Sequence, residues 1–252
     1  MVELYHGDCL TILPTLSDNS VDMLLVDLPY GTTACKWDSI IPLDKLWEQY
    51  NRICKENAAM VFTAAQPFTT VLASSNLDNF KYEWIWEKPQ GTNPMNAKIM
   101  PLKSHENILV FCRKKPTYNP QMWYSTPYTG FVSDSAKIGE VYGKQQSKHR
   151  DNPEGSRYPK TVLRHKQEKG LHPTQKPVGL MEYLIKEESM FPQYIHELFC
   201  YDNEVIWGYK TMLNDVKTVK LNSIWHHFMD KWNYIPHDVN IVHCINKNFK
   251  YV

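Results

Sequence analysis

The chain has 252 residues, of which 42% are hydrophobic and 22% are charged, values typical of a soluble globular protein with one large domain or two small ones. Its formal net charge is only +1, which excludes a uniformly basic protein, so any contact with nucleic acid must come from a local surface. The N-terminal residues lack the pattern of a signal peptide, and no apolar run is long enough to span a bilayer, so we expect no membrane segment.

Six cysteines are scattered along the chain without paired spacing. This distribution argues against a zinc site and against a disulfide framework, and it favours reduced thiols in a cytoplasmic protein. The six are Cys9, Cys35, Cys54, Cys112, Cys200 and Cys244.

The first two predicted strands each end near an acidic residue. Residues 2–5 predict a short strand before Gly7-Asp8, and residues 9–16 predict a short helix. The continuous apolar run of residues 23–26 is typical of a strand buried on both faces, and it leads into Asp27-Leu28-Pro29-Tyr30-Gly31. Because ligands bind outside the carboxyl ends of strands in open α/β sheets, Asp27 and Tyr30 form a candidate site. An ordinary turn from strand to loop is the alternative interpretation.

Helical and strand-like spacings then alternate as far as residue 112. The predicted helices are residues 43–56 and 67–72, and the predicted strands are residues 58–64, 81–87 and 107–112. Such alternation predicts an α/β fold with a mostly parallel sheet flanked by helices.

The character of the chain changes between residues 114 and 176, where Pro, Gly, Ser, Tyr and Lys replace the apolar periodicity. Residues 144–176 contain nine Lys or Arg against three acidic residues. A basic segment with interspersed aromatics is typical of a surface that contacts phosphates, and a solvated loop is the alternative. The segment His172-Pro173-Thr174-Gln175-Lys176-Pro177 follows, and Pro177 then begins a further predicted helix.

Five segments, taken in this order, resemble the DNA amino-methyltransferases that modify adenine at its exocyclic nitrogen. The resemblance covers about residues 1–188, and the order resembles the permuted subgroup in which the catalytic motif comes first. It implies the Rossmann-like fold of S-adenosylmethionine-dependent methyltransferases, incomplete at its C-terminus. The segments are Gly7-Asp8, Asp27-Leu28-Pro29-Tyr30-Gly31, Trp84-Ile85-Trp86-Glu87-Lys88, Ser104-His105-Glu106-Asn107-Ile108-Leu109-Val110-Phe111 and His172-Pro173-Thr174-Gln175-Lys176-Pro177.

The resemblance implies a catalytic role for Asp27, Leu28, Pro29 and Tyr30. The Asp27 side chain and the Leu28 backbone carbonyl would accept the two hydrogens of the exocyclic amine, which directs the nitrogen lone pair toward the methyl donor. Tyr30 would stack on an adenine that has left the duplex. An acidic residue at position 27 fits adenine, whereas a serine there would suggest cytosine.

S-adenosylmethionine is the cofactor that the resemblance implies, and double-stranded DNA is the implied partner. The cofactor would contact Asp8, Asp27, Lys176 and Pro177, although a helix cap is an equally good interpretation of Asp8. Contacts with DNA are expected from Trp86, Lys88, Asn96, Lys98, Lys103 and Arg113. A tryptophan of the hydrophobic core is the alternative interpretation of Trp86.

The sequence departs from the resemblance after about Lys186. The family follows this helix with a strand and a loop containing two glycines, Phe-x-Gly-x-Gly, whereas the sole glycine after Gly179 is Gly208. A frameshift, a truncation or a replaced C-terminus would each produce this, and the alternative function is a remnant that binds DNA without methyl transfer. The predicted organisation is a catalytic half (1–113), a basic insertion for DNA recognition (114–171), a return to the catalytic fold (172–188) and a divergent tail (189–252).

Overall fold

The computed structural model describes residues 2–6, 8–34, 38–131, 149–168, 176–188, 194–201, 205–212 and 242–243. The chain divides into two compact units. The larger unit comprises Met1–Asn119 and Thr161–Val252, and the smaller unit comprises Pro120–Lys160. None of the helices in these ranges is long and apolar enough to cross a bilayer.

The larger unit is built on a nine-stranded sheet in the order β1-β12-β11-β2-β3-β5-β4-β10, and β13 pairs with β12. In chain order the strands of the protein are β1 (Val2–His6), β2 (Val21–Asp27), β3 (Cys54–Ala64), β4 (Phe80–Thr92), β5 (Lys103–Phe111), β6 (Trp123–Tyr124), β7 (Tyr128–Phe131), β8 (His149–Asn152), β9 (Ser156–Arg157), β10 (Val162–Arg164), β11 (Tyr194–Tyr201), β12 (Val205–Met212) and β13 (Val242–His243).

The sheet is mixed, with less parallel pairing than the sequence predicts. β2 runs parallel to β3 and to β11, and β10 runs parallel to β4, whereas the other neighbouring strands are antiparallel. The physical reason lies in the connections. Helix α2 (Leu43–Ile53) carries the chain from β2 to a parallel β3, but the short connection between β4 and β5 permits only an antiparallel pair. The predicted α/β class is confirmed.

β2 is buried on both faces, as its continuous apolar run predicts. Leu24 and Val26 face one hydrophobic cluster, and Met23 and Leu25 face the other, because successive side chains of a strand point in opposite directions. All four are at most 1% exposed, and each such burial stabilises the fold by about 1.5–3 kcal/mol. The strand that leads to Asp27 is therefore the rigid centre of the sheet.

Helices cover both faces of this sheet. The helices are α1 (Cys9–Ile12), α2, α3 (Phe68–Ser74) and α4 (Val178–Glu188). The first three pack on the cluster of Leu24 and Val26, and α4 packs on the cluster of Met23 and Leu25 through Leu180 and Leu184. Helix α2 ends at Ile53, three residues before the predicted end, because Cys54 already begins β3.

The backbone of residues 194–212 continues the sheet beyond the part that carries the family resemblance. β11 lies parallel to β2 with Tyr201 opposite Asp27, and β12 returns antiparallel to β11. The carboxyl end of β11 therefore lies beside the candidate site, and residues 202–204, which follow it, are outside the described ranges.

The smaller unit contains two short antiparallel pairs, β6 with β9 and β7 with β8. Gly155 lies in the connection between β8 and β9 and has a φ of +68°. A Cβ at this position would lie 1.9 Å from the Ser125 carbonyl oxygen. Only glycine fits this close approach. The Trp123 indole donates to the Tyr158 carbonyl at 3.0 Å and links the two ends of the unit.

Candidate active site

Four charged side chains meet at the end of β2, and we call them the four-charge cluster: Asp27, Lys88, Glu106 and Lys176. Lys176 Nζ lies 2.9 Å from Asp27 Oδ2 and 3.5 Å from Glu106 Oε2. The other oxygen of Glu106 accepts from Lys88 Nζ at 2.5 Å. β2, β4, β5 and the segment before α4 each supply one member, so residues far apart in sequence become neighbours.

The four-charge cluster is largely withdrawn from water. Exposed side-chain fractions are 14% for Asp27, 12% for Glu106 and 8% for each lysine. Buried charges are tolerated when opposite charges and hydrogen bonds compensate for the lost solvation. Two carboxylates and two ammonium groups balance each other here, which keeps the buried cluster neutral.

Neutral hydroxyls complete the surroundings of Asp27. Its Oδ1 accepts a hydrogen bond from the Tyr30 hydroxyl at 3.0 Å and another from the Thr63 hydroxyl. The Tyr30 hydroxyl also lies 3.4 Å from Glu106 Oε2. Asp27 thus presents one oxygen to hydroxyl groups and the other to an ammonium group, and both sides of the carboxylate are occupied.

The Tyr30 ring is held against α3. Phe68 stacks on it with 5.5 Å between ring centroids and 19° between planes, and Lys176 Nζ lies 5.3 Å from the Tyr30 centroid. Burial and the neighbouring Asp27 and Glu106 carboxylates raise the pKa of the Tyr30 hydroxyl well above its usual value. Tyr30 is therefore a neutral hydrogen-bond donor throughout the physiological range of pH.

Charge pairing outweighs burial in setting the pKa of Glu106 and of Lys176. Burial alone would raise the pKa of Glu106, but Lys176 and Lys88 hold it below its usual value. Burial alone would lower the pKa of Lys176, but Asp27 and Glu106 bring it above its usual value. Both groups are ionised at neutral pH, so the site presents fixed charges.

The loop after the segment Asp27 to Tyr30 is fixed by a carboxylate that the sequence does not single out. Asp38 accepts backbone N–H bonds from Gly31, Thr32 and Thr33 at 2.8, 2.8 and 2.6 Å. Burial alone would raise the pKa of Asp38, but hydrogen bonds from the Thr33 side chain and the three backbone donors lower it below its usual value. Gly31 adopts a φ of +65°, which turns the chain back toward Asp38.

A groove with a volume of about 570 Å³ lies in the larger unit, and its lining includes His105 and Asn107, the sequence neighbours of Glu106. It is lined by Gln66, Asn93, Met100, Pro101, Leu102, Lys103, Ser104, His105 and Asn107. Its size is suited to a small organic group such as a nucleobase with its sugar. Lys103 is half-buried there, and burial lowers its pKa although Glu106 is near.

The residues expected to contact the cofactor are only partly brought together. Asp27 and Lys176 form an ion pair, and Pro177 is buried at the start of α4, where its carbonyl accepts from the Leu180 and Met181 N–H groups. Asp8 caps helix α1 by accepting from the Leu10 N–H at 2.7 Å. The helix cap is thus the role that Asp8 has in this structure.

The residues expected to contact DNA are dispersed. Lys88 belongs to the four-charge cluster, whereas Trp86 is 2% exposed in the hydrophobic core and donates to the His165 carbonyl at 3.0 Å. Arg113 donates to the Cys54 carbonyl at 2.6 Å, at the end of β3 away from Asp27. The connection between β4 and β5 contains Asn96 and Lys98, and Lys103 is the first residue of β5. This connection is exposed, since Met95 and Ile99 are 95% and 77% exposed.

The smaller unit presents cations on aromatic rings. The Arg157 guanidinium lies 4.7 Å from the Tyr128 centroid, and Lys160 Nζ lies 5.6 Å from the Trp123 ring. Tyr124 and Tyr158 are largely exposed, at 69% and 70%. Exposed rings beside cations are suited to bases and phosphates.

Three further residues contact Asp27 or Tyr30, although the sequence predicts no role for them: Glu106, Thr63 and Phe68. Glu106 lies in the quoted segment Ser104 to Phe111, and its position next to a buried apolar run was the available signal. Thr63 is a polar residue at the end of an apolar strand, which is a comparable signal. Phe68 gives no signal, because one phenylalanine at the start of a helix is an ordinary core residue.

The chemistry of the four-charge cluster fits one end of S-adenosylmethionine. A carboxylate such as Asp27 stabilises a nearby sulfonium cation, and an ammonium such as Lys176 suits the carboxylate of the methionine part. The glycines expected beyond β11 are replaced, because Tyr201 is followed by Asp202-Asn203-Glu204. The described residues therefore fit the reacting end of the cofactor, and the sequence lacks the usual cradle for the rest.

Comparison with known proteins agrees with this arrangement. Residues 21–200 match the family model for DNA methylases of the N6 and N4 type. The fold is similar to PvuII DNA methyltransferase, a cytosine-N4-specific protein, at 12% identity with a TM-score of 0.51 over 75% of this chain and 71% of that one. It is also similar to M1.HpyAVI in complex with SAM at 21% identity, with a TM-score of 0.49 over 80% and 83% of the two chains. For TTHA0409 of Thermus thermophilus, complexed with S-adenosyl-L-methionine, the identity is 16% and the TM-score 0.42, over 74% and 75% of the two chains.

Proposed function

Because the chain belongs to the DNA methylase family, we propose that it transfers a methyl group from S-adenosylmethionine to the N6 amino group of adenine in double-stranded DNA. The observation that carries the proposal is the environment of Asp27 at the carboxyl end of the buried strand β2. Two hydroxyls fix its Oδ1, which leaves Oδ2 as the acceptor whose partner can change.

Each residue of the motif has a physical role in this proposal. Asp27 Oδ2 accepts one hydrogen of the exocyclic amine, and the Leu28 carbonyl accepts the other, so the nitrogen lone pair is directed away from the ring. Tyr30, supported from behind by Phe68, supplies an aromatic face for the base. S-adenosylmethionine supplies the methyl group at this point. The protein contributes orientation and fixed negative charge, which are the main sources of rate acceleration in such a transfer.

The base reaches this site only after it has left the duplex. The exposed aromatic and basic residues of the smaller unit are suited to contacts with the DNA. Lys98 and Lys103 would contact phosphates, which makes binding weaker at high salt. The proposed preference for adenine over cytosine rests on the acidic residue at position 27.

The test measures transfer and identifies the product. Protein is incubated with tritiated S-adenosylmethionine and phage DNA grown in cells that lack methylases, and the DNA is then digested to nucleosides. We expect label in N6-methyladenine. Label in N4-methylcytosine would overturn the adenine assignment while keeping the enzyme class.

The Asp27→Asn variant tests the catalytic role of this carboxylate. We expect its transfer rate to fall by about 10²–10³-fold, because the amide presents no negative charge to the amine. Asp22→Asn is a matched control, since Asp22 lies at the other end of β2 and pairs with Lys55 at 2.6 Å. The control should keep the wild-type rate. Equal losses in both variants would contradict a specific role for Asp27.

A remnant that binds DNA without methyl transfer is the second candidate function. It is favoured by the absence of the two-glycine loop from the sequence, in which Gly208 is the sole glycine after Gly179. Calorimetry with S-adenosylmethionine separates the two candidates. Binding with a Kd in the micromolar range supports the enzyme, whereas no detectable binding together with retained DNA binding supports the remnant.

A further inference from the structure

The amine site that the proposed function requires is already filled by a side chain of the protein. Lys176 Nζ donates to Asp27 Oδ2 at 2.9 Å, which is the oxygen assigned above to the adenine amine. The same ammonium lies 5.3 Å from the centre of the Tyr30 ring. Lys176 therefore occupies the hydrogen-bonding position of the substrate, and it must give up this contact before the base can bind.

A buried ammonium cannot simply be left without a partner. Its side chain is only 8% exposed, and removing the partner of a buried charge costs about 3–5 kcal/mol. The binding energy of one base would be largely consumed by such a loss. The displaced Lys176 therefore needs a second acceptor within a short movement of its present position.

Glu106 is placed to be that acceptor. Its Oε2 is 3.5 Å from Lys176 Nζ, which is too long for a charge-assisted hydrogen bond. A movement of less than about 1 Å would bring the two atoms to the length of such a bond. Lys88 holds the opposite oxygen, Oε1, at 2.5 Å, so Oε2 is kept facing Lys176. The Tyr30 hydroxyl spans the same two carboxylates, at 3.0 Å from Asp27 and 3.4 Å from Glu106.

We propose that Glu106 is a positioning residue that receives Lys176 when the substrate amine takes its place on Asp27. The exchange leaves the number of charged groups in the four-charge cluster unchanged. One ammonium moves from Asp27 to Glu106, and the amine donates to the vacated oxygen without any change in protonation. Lys88 anchors Glu106 during this exchange. This inference rests on the proposed function for the identity of the amine, but the movement of Lys176 can be tested separately.

The first experiment needs no activity. In a crystal structure of the Asp27→Asn variant, the neutral amide no longer competes for the ammonium. We expect Lys176 Nζ to move to within about 2.8 Å of Glu106 Oε2. A lysine that instead remains on the introduced amide or turns toward solvent would overturn the proposal, whether or not the protein is a methyltransferase.

The second experiment separates positioning from charge balance. Glu106→Gln alone removes the carboxylate that contacts both buried lysines and risks unfolding, whereas in Asp27→Asn both lysines keep Glu106 as a partner. Lys88→Met/Glu106→Gln removes a complete ion pair and keeps the charge balance. We compare this double variant with the wild type by steady-state methylation of the phage DNA, with melting temperature as the check on folding. The proposal expects kcat to be at least about tenfold lower in the double variant, with the KM for S-adenosylmethionine changed less than about twofold.

Two results of the second experiment would overturn the proposal. If the double variant has the kcat of the wild type, Glu106 serves only to balance the charge of Lys88. If KM and kcat change together with a lower melting temperature, Glu106 serves only to stabilise the fold. Glu56→Gln is the surface control, because Glu56 pairs with Lys114 where both side chains are more than half exposed. A wild-type protein that transfers no label contradicts the proposed function, and the Asp27→Asn structure still decides the exchange.

Discussion

Asp27 and Glu106 at the candidate site can be compared with Glu187 and Glu188 at the end of α4, because both pairs of carboxyl groups are withdrawn from water in the same unit. The first pair faces two lysines. In the second pair, Glu188 is 0% exposed and accepts from the Tyr82 hydroxyl at 2.7 and 2.9 Å and from the Trp84 indole at 3.0 Å. At the candidate site the buried carboxylates are compensated by lysines, whereas at the end of α4 Glu188 is compensated by neutral hydrogen-bond donors.

The two environments move the pKa of a glutamate in opposite directions. Lys176 and Lys88 outweigh burial and hold the pKa of Glu106 below its usual value. Burial raises the pKa of Glu188 to about 7, and Glu187 adds to this rise, while the hydrogen bonds from Tyr82 and Trp84 oppose it only in part. Neutral donors are thus weaker than ammonium groups at keeping a buried carboxylate ionised.

The largest effect expected from this comparison comes from removing a lysine of the four-charge cluster. Lys176→Met keeps the length and the apolar stem of the side chain but leaves Asp27 and Glu106 with Lys88 alone. We expect the free energy of unfolding to fall by about 3–5 kcal/mol at pH 7, measured by urea denaturation. Asp27 would then be left with the neutral donors Tyr30 and Thr63, an environment that resembles that of Glu188 at the end of α4.

Lys114→Met is the control for this variant. Lys114 also pairs with a carboxylate, that of Glu56, but both side chains are more than half exposed. Partly exposed ion pairs contribute at most about 1 kcal/mol. Similar losses in the two lysine variants would show that burial of the four-charge cluster does not determine its energy.

The sequence predicts the part of this comparison that depends on local patterns. Residues 23–26 form an uninterrupted apolar run, so the buried strand and the position of Asp27 at its end follow from periodicity. Lys176 and Glu106 lie 149 and 79 residues beyond Asp27, and no local pattern relates them to it. Their meeting depends on the strand order β2-β3-β5-β4, which short-range signals do not determine.

Burial of polar and aromatic side chains was the least predictable property. Trp86 and Lys88 are two residues apart on β4, yet the first is in the core and the second in the four-charge cluster. Arg113, in a basic stretch, donates to a backbone carbonyl at the other end of the sheet. Residue type and spacing predict that a side chain is polar or aromatic, but tertiary packing decides what it contacts.

The end of α4 gives the next largest effect, as a dependence on pH. The folded protein holds the Glu188 proton up to a pKa of about 7, whereas an unconstrained glutamate loses it near 4.5. Stability therefore increases as pH falls from about 7 to about 4.5, by roughly 1–3 kcal/mol. Urea denaturation at pH 8, 6 and 5 measures this slope. Below that window the lowered pKa of Glu106 acts in the opposite sense, because its protonation weakens the four-charge cluster.

Glu188→Gln isolates this contribution. The amide oxygen still accepts from Tyr82 and Trp84 but carries no charge, so we expect the variant to be more stable than the wild type at pH 8 and to lose the slope between pH 5 and 8. A wild-type protein whose stability has the same pH dependence as that of Glu188→Gln would contradict the raised pKa, because the lowered pKa of His165 contributes to both proteins.

The smallest effect tests the neutral donors themselves. Tyr82→Phe removes the hydroxyl that contacts both oxygens of Glu188, while the ring can still pack against Trp84 at 6.1 Å between centroids. We expect a loss of about 1.5 kcal/mol at pH 8, where the carboxylate is ionised, and a smaller loss at pH 5, where it is protonated. Because the hydrogen bond lowers the pKa of Glu188, its removal should also move the midpoint of the pH dependence upward.

In the Glu188→Gln background the same substitution should cost equally at both pH values, since no charge remains to be stabilised. Equal losses at both pH values in the wild-type background would mean that Tyr82 contributes packing alone, and the contrast with the lysines of the four-charge cluster would then rest on Trp84.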